Sequence, residues 1–485
     1  MDNNRNIIRL CFFILVIFIS FCCITKEMQN DTFYMIKLGD YIVHHGIDLK
    51  DHWCWVANLI YTYPHWLYDV FIYYVYNSLG FNGIYVSTVF SYILLIITFY
   101  YVNMKINKNE FLSILFTLIV SFCLLGAATA RAQLFSLIIF ILEIYYIFKL
   151  IDGGKKRYII ILCFLSLLLA NIHGTVWLFY FVLFLPFIGE EIFYFFSKKF
   201  KFKISDKLII SKNDNFKYLI ISFILSFGMG LLSPSRICYS YVFRIMMGDS
   251  QKFITEHFPL IVIKYPMFLI FVLILLIFMI FTKAKIKLSE LFMILGVMIM
   301  SLISMRHLSF FYSIGVMFIL IIISRYLNSK KSSKFEILLN KVAQKWYVGF
   351  IVIIIAVMII HSNNNASYVN KKEFPVDAVK YIKENLDYKN IKLFNAYNYG
   401  SYLMLNDIPV IIDSRCDLYL NEFNKGVTLF DDILDIKAVS YLKVFDKYEV
   451  EYILINKDSI FYELLIRDVG NDIYRDKNFV LFKYK

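Results

Sequence analysis

The stretch Asp31-Thr-Phe-Tyr-Met-Ile-Lys-Leu-Gly-Asp40-Tyr-Ile-Val-His44-His45-Gly-Ile-Asp48-Leu-Lys-Asp51 follows closely on an apolar run, Ile7–Ile24, which itself follows Arg5 and Arg9. An apolar run of that length behind a basic N-terminus reads as a retained first membrane span. It has no small-x-small cleavage site and continues into Thr25-Lys-Glu27. The basic end stays inward, so the acid- and histidine-rich stretch lies on the outer side.

The remainder of the chain obeys the same rule. Of 485 residues, 60% are hydrophobic and 19% aromatic, with a mean hydropathy of +0.64, well above soluble composition. About eleven apolar segments long enough to cross a bilayer can be drawn, and every inward turn is then basic. After the first they are Gly83–Asn103, Phe111–Thr129, Leu134–Leu150, Tyr158–Ala170, Val176–Phe196, Phe216–Leu232, Tyr265–Thr282, Leu288–Ser304, Leu308–Tyr326 and Tyr347–Ile360. Inward turns carry Lys105 and Lys108, Lys155 to Arg157, the run Lys198–Lys207, Lys283, Lys285 and Lys287, and Lys330-Lys-Ser-Ser-Lys334. The net charge of +13 is therefore topological, and nucleic acid is excluded as a partner. The eight cysteines show no CxxC spacing and imply neither a disulfide framework nor a zinc site.

One apolar stretch, Trp66–Leu79, is too short to span and holds Asp69 among many tyrosines. It reads as an amphipathic helix in the outer interface, within a first outer loop of residues 26–82. The multispanning domain covers 1–362. Polarity rises beyond it, and residues 366–485 read as a small α/β domain on the outer side. There Pro375–Leu386 has helical periodicity, and Ile391–Ala396, Val410–Asp413, Tyr452–Asn456 and Phe479–Tyr484 read as strands. Gly400 is expected to make a turn, and Asp413 to pair with Arg415.

Chemistry gathers on the outer side. Asp31, close behind the first span, suits a general base acting on a polar acceptor while a lipid-linked donor enters sideways. The competing reading of each loop acid is an ordinary solvated carboxylate. Span ends add Arg131 with Gln133, Asn171-Ile-His173-Gly174, Glu256-His257 and Arg306-His307. Ionisable groups at such depth are costly and mark cavities. Arginine forks suit a phosphate, so Arg131 and Arg306 are candidates for the phosphate of a lipid-phosphate sugar; the alternative is snorkelling into the headgroups.

The Asp31–Asp51 stretch resembles the first outer loop of GT-C glycosyltransferases, including protein O-mannosyltransferases of family 39 and lipopolysaccharide galacturonosyltransferase-like envelope proteins. Pro64-His65-Trp66-Leu67 is similar to the surface helix that follows in that group, and Ala-Arg131-Ala-Gln133, Asn171-Ile-His173-Gly174 and Arg306-His307 also look like its motifs. The resemblance implies a GT-C-like bundle taking a sugar from a polyprenyl-phosphate carrier to an envelope glycan, lipid or protein acceptor with inversion. It implies Asp31 as the base and Asp51 as a second acid. Arg131 or Arg306 would hold the departing phosphate, with Gln133, His173, His307, His65 and Glu256 about the substrate. Asp31 lacks the adjacent acid of relatives, and Ala132 stands where they often have proline. Some of these enzymes use a divalent metal, but no histidine spacing here supports one. A non-catalytic assembly scaffold and a lipid-carrier flippase are the other classes to weigh.

Overall fold

A computed structural model describes residues 2–200, 205–247, 254–329, 353, 367–437 and 440–485. The expected span Tyr347–Ile360 lies, Ile353 apart, outside the described residues. The chain divides into two compact units: one is 1–24, 86–239 and 255–365; the other is 25–85, 240–254 and 366–485. This differs from a division near residue 366, because the first outer loop belongs with the C-terminal segment.

The first unit is helical. It includes α1 (Asp2–Cys23), the C-terminal part of α3 (Trp66–Asn107), α4 (Glu110–Cys123), α5 (Gln133–Gly153) and α6 (Arg157–Ile172). Further helices run over Leu185–Phe200, Phe216–Gly228, Pro266–Phe281, Leu288–Ile303 and Val316–Ser329. Among the described residues four helical segments are long and apolar enough to cross a membrane: Trp66–Asn107, Gln133–Gly153, Gly174–Phe200 and Met305–Ser329. Shorter apolar helices, among them Glu110–Cys123, Arg157–Ile172 and Pro266–Phe281, lie where further spans are expected.

Local chemistry sets the ends. Asn109 caps α4, its side chain accepting from the Leu112 amide at 3.1 Å, and Gly154 closes α5 in the left-handed region at φ 58°. A straight helix of α3's length would be about 63 Å long, twice the hydrocarbon thickness. Gly80, at φ 60° and ψ −153°, breaks it between the expected interfacial and spanning parts. The expected span Val176–Phe196 lies within the helical segment Gly174–Phe200, which opens on a 3-10 turn at Gly174–Val176 and changes hydrogen-bond pattern near Leu183 while staying in the α region. Buried Trp177 explains the packing there: its indole donates to Ser166 Oγ at 2.9 Å, and its ring lies where any Cβ at residue 230 would fall, so only Gly230 fits.

The second unit joins α2 (Asn30–His45), the N-terminal part of α3 and a four-stranded sheet of order β3-β4-β6-β5: Leu393–Phe394, Tyr452–Asn456, Phe479–Lys483 and Asp472–Arg475. β3 and β4 are parallel and the other pairs antiparallel. Phe33 of α2 packs edge-on against Phe374 and Tyr402, and the Asn30 amide donates to Tyr397 O at 2.9 Å. Gly39 lets α2 lie against α3, since a Cβ there would strike the Asp69 carbonyl.

Two expectations fail in this unit. Val410–Asp413 is no strand: Val410 exchanges backbone bonds with Trp53 and Trp55 of the first loop, and the Asn395 side chain takes up Ile411 N and Ile412 O. Gly400 makes no turn. It lies inside a helix, Tyr397–Leu405, because a Cβ there would strike the Ile412 carbonyl. Asp413 and Arg415 do pair.

Candidate functional site

In the first unit, Arg131 lies two residues before Gln133, the first residue of α5. Its Nη1 donates to Glu256 Oε1 at 2.9 Å, with both side chains partly open to solvent, at 22% and 45%. Glu256 sits on the short turn Thr255–His257, which is tied to the turn Met305–His307: Ser304 Oγ donates to Glu256 O at 3.2 Å and Met305 N to Phe258 O at 2.9 Å. That seam carries Arg306 to His257, with Nη1 3.3 Å from Nε2. Desolvation pushes the Glu256 carboxyl up, but the charges of Arg131 and Arg306 outweigh it and hold the group below the usual glutamate value. Desolvation, followed by Arg306, pushes His257 down to about 4, so it is neutral near pH 7.

The neighbouring candidates assemble around α5. Gln133 Nε2 donates to Ser309 Oγ at 3.0 Å, and buried Ser136 Oγ lies 2.6 Å from His173 Nδ1. His307 places Nδ1 3.2 Å from Met300 O and its ring edge-on to Phe179, 4.9 Å between centroids. Phe311–Gly315, which begins two residues after Ser309, forms a π-helical turn, a distortion common beside functional sites. The result is two guanidiniums and one carboxylate, partly exposed, at the positive end of a 21-residue helix. Guanidiniums open to solvent at a helix start suit a phosphate-bearing ligand.

In the second unit, Asp31 is partly exposed on the first turn of α2, where the helix dipole favours a carboxylate. Six residues separate it from Ile24, so α2 positions it rather than the end of the first helix. His65 is buried just before α3. Asp51 does not present an open carboxylate. Its Oδ1 accepts from Arg415 Nη1 at 2.6 Å, and its Oδ2 from the Cys54 amide at 2.8 Å, with both charged side chains at 0% exposure. Arg415 also makes a forked pair with Asp413, Nε to Oδ1 at 2.9 Å and Nη2 to Oδ2 at 2.6 Å. Its guanidinium lies 5.0 Å from the Tyr61 ring and 5.3 Å from Trp53. Tyr419 completes the group by donating to Asp413 Oδ2 at 2.8 Å. Both charges of Asp51 and Asp413 are thus spent on one arginine, and Asp51 fastens the first loop.

Ser136 and Ser309 escaped the sequence reading. Isolated serines in apolar helices carry no signal of their own, although each lies on a helix start already bearing Arg131 or Arg306. Among the described residues no three His, Cys, Asp or Glu side chains converge into a metal-binding group.

No family model and no curated protein matches the sequence. The fold, however, matches solved structures of the Archaeoglobus fulgidus oligosaccharyltransferase AglB at 10% identity. The TM-score is 0.61 over 93% of this chain and 70% of that one for the complex with an inhibitory peptide and a dolichol-phosphate. It is 0.61 over 92% and 69% for the apo form, and 0.60 over 93% and 70% for the form tethered to an acceptor peptide. AglB is a GT-C fold glycosyltransferase, and this chain has the GT-C fold.

Proposed function

We propose that this protein is an integral membrane glycosyltransferase that moves a sugar from a polyprenyl-phosphate carrier to an envelope glycan, lipid or protein acceptor on the outer membrane face. About eleven spans and an outer C-terminal domain belong to the same reading. The observation that carries it is the Arg131–Glu256–Arg306 cluster, a partly open cationic group at the start of an apolar helix. AglB supports it by analogy, since its structures hold a dolichol-phosphate and a peptide, the two ligand classes such a reaction joins.

In the reaction the acceptor hydroxyl attacks the anomeric carbon as the bond from that carbon to the phosphate oxygen breaks, inverting the centre. Asp31 takes the hydroxyl proton. Negative charge grows on the leaving phosphate, where Arg131 and Arg306 stabilise it most at the transition state. Gln133, His173, His307 and His65 are substrate contacts in this reading, and Glu256 orients Arg131. Asp51 contributes at one remove, by holding Arg415.

Mass spectrometry of envelope glycans in wild-type, deletion and Asp31→Asn cells with matched protein levels tests this reading. Loss of one sugar in both altered strains is expected. A glycan change on deletion that Asp31→Asn does not reproduce removes the base and leaves a scaffold or flippase.

A further inference from the structure

At the lysine-rich end of the first unit a cleft of about 480 Å³ runs between the helices Pro266–Phe281 and Leu288–Ile303. Leu276, Met279, Ile294, Met298 and Phe311 are among its walls, and it is apolar throughout except at its mouth, where Ser205 and Lys207 stand. Its volume is that of an ordinary ligand pocket. The short parallel pair β1 (Leu208–Ile209) and β2 (Ile286–Lys287) closes this end.

The mouth is built for an anion. Lys207 Nζ donates to Met279 O at 2.6 Å, which parks the ammonium at the C-terminal end of Pro266–Phe281 with further donors to spare. Lys285 and Lys287 flank Ile286, itself a lining residue, and Lys283 follows two residues after Phe281. The nearby carboxylates are mostly engaged. Glu290 is paired with Arg325, and Glu190 accepts from Ser211 and Ser289, while Asp206 precedes Lys207 in the sequence.

The remaining wall points to lipid. The helix Pro266–Phe281 buries only Phe268 and Phe271 and leaves Leu273, Ile277 and Ile280 exposed, as a bilayer-facing helix does. The lysine-bearing mouth stands apart from the Arg131 cluster, although Met298 and Phe311 carry the inner wall toward it. Ile286 and Lys287 precede Leu288–Ile303, and Arg306 lies just past the other end of that helix, more than about 20 Å along its axis.

We infer that this cleft is a binding site for an anionic phospholipid, with one acyl chain between Pro266–Phe281 and Leu288–Ile303 and its phosphate on Lys207, Lys285 and Lys287. The site does not rest on the glycosyl-transfer reading. Native mass spectrometry of the delipidated full-length protein, titrated with phosphatidylglycerol or phosphatidylcholine, tests it. Phosphatidylglycerol should be retained at least tenfold more strongly. Ile294→Trp, which fills the cleft, and Lys207→Gln/Lys285→Gln, which leaves it open, should each remove that preference while melting as wild type does. The two variants check one another if either fails to fold. Equal retention of the two lipids overturns the site, as does retention unchanged by whichever variants fold. Displacement by inorganic phosphate alone overturns the acyl-chain half, and displacement by polyprenyl phosphate at equal concentration overturns the phospholipid assignment.

Discussion

Arg131 and Arg415 are both arginines held by carboxylates, yet they stand in opposite circumstances. Arg415 has two acids, two aromatic faces and no exposure; three of its N–H groups donate to carboxylates within the protein. Arg131 is partly open and bonds a half-open glutamate that also feels the charge of Arg306. A buried ion group that balances itself is a fastening, because removing one member strands the others in a medium that cannot solvate them. A partly open group keeps a face toward solvent, where an outside anion can meet it. The difference separates structural from functional arginines here better than sequence position does.

That contrast predicts a graded series of effects. Arg415→Met strands Asp51 and Asp413 and should cost about 3–5 kcal/mol, read as loss of folded protein on a size-exclusion column and a collapse of the melting transition. Equal melting of wild type and variant would mean the fastening is idle. Arg131→Ala should instead leave the melting temperature within a few degrees and lower transfer activity about 10²–10³-fold. If activity falls only in step with folded protein, Arg131 belongs with Arg415. Gly400→Ala forces a methyl into the Ile412 carbonyl and should destabilise by about 1–3 kcal/mol, measured by thermal unfolding in detergent.

Two smaller effects depend on pH. Burial raises the Asp417 carboxyl from 3.8 to about 6 against the opposing pull of Arg415. The folded state therefore holds this proton more tightly than the unfolded state, and stability falls as pH rises from about 4 to about 6. Melting curves of Asp417→Asn should lack that decline. For His257, depressed to about 4, stability is present above the free-imidazole value of 6.5 and lost as pH falls toward 4. His257→Asn should leave the activity profile between about pH 6 and 8 unaltered, since the imidazole carries no charge there. A limb that disappears in the variant would place a titrating histidine at the site.

What could be read from the sequence follows the range of the interactions. Apolar runs and their basic flanks announce helices directly, and the break at Gly80 falls where Trp66–Leu79, with its Asp69, ceases to look like a span. The strands Tyr452–Asn456 and Phe479–Lys483 are visible because alternation and β-branching are local. Val410–Asp413 has the same composition, but its partners are Trp53 and Trp55, and no periodicity reveals a partner that distant. At the candidate site the ingredients were visible and the pairings were not. Arg131 and Glu256 each stood out as a charge beside apolar sequence, whereas their 125-residue separation hid the bond between them. Asp51 was misjudged for the same reason: its acidity was plain, and Arg415 was out of view.

The bond from Asp51 to Arg415 spans 364 residues, and that distance is also a delay. At about 5–20 residues per second of synthesis, roughly 20–70 s pass between the appearance of the acid and of its arginine. Throughout that interval the first loop has left the ribosome without the group that neutralises it. A nascent chain halted before residue 415 would carry a loop that has not reached its final form, exposed to proteases and chaperones that the finished protein excludes. The last quarter of the chain thus acts on its first eighth, and maturation of the loop is timed by the end of translation rather than by its own emergence.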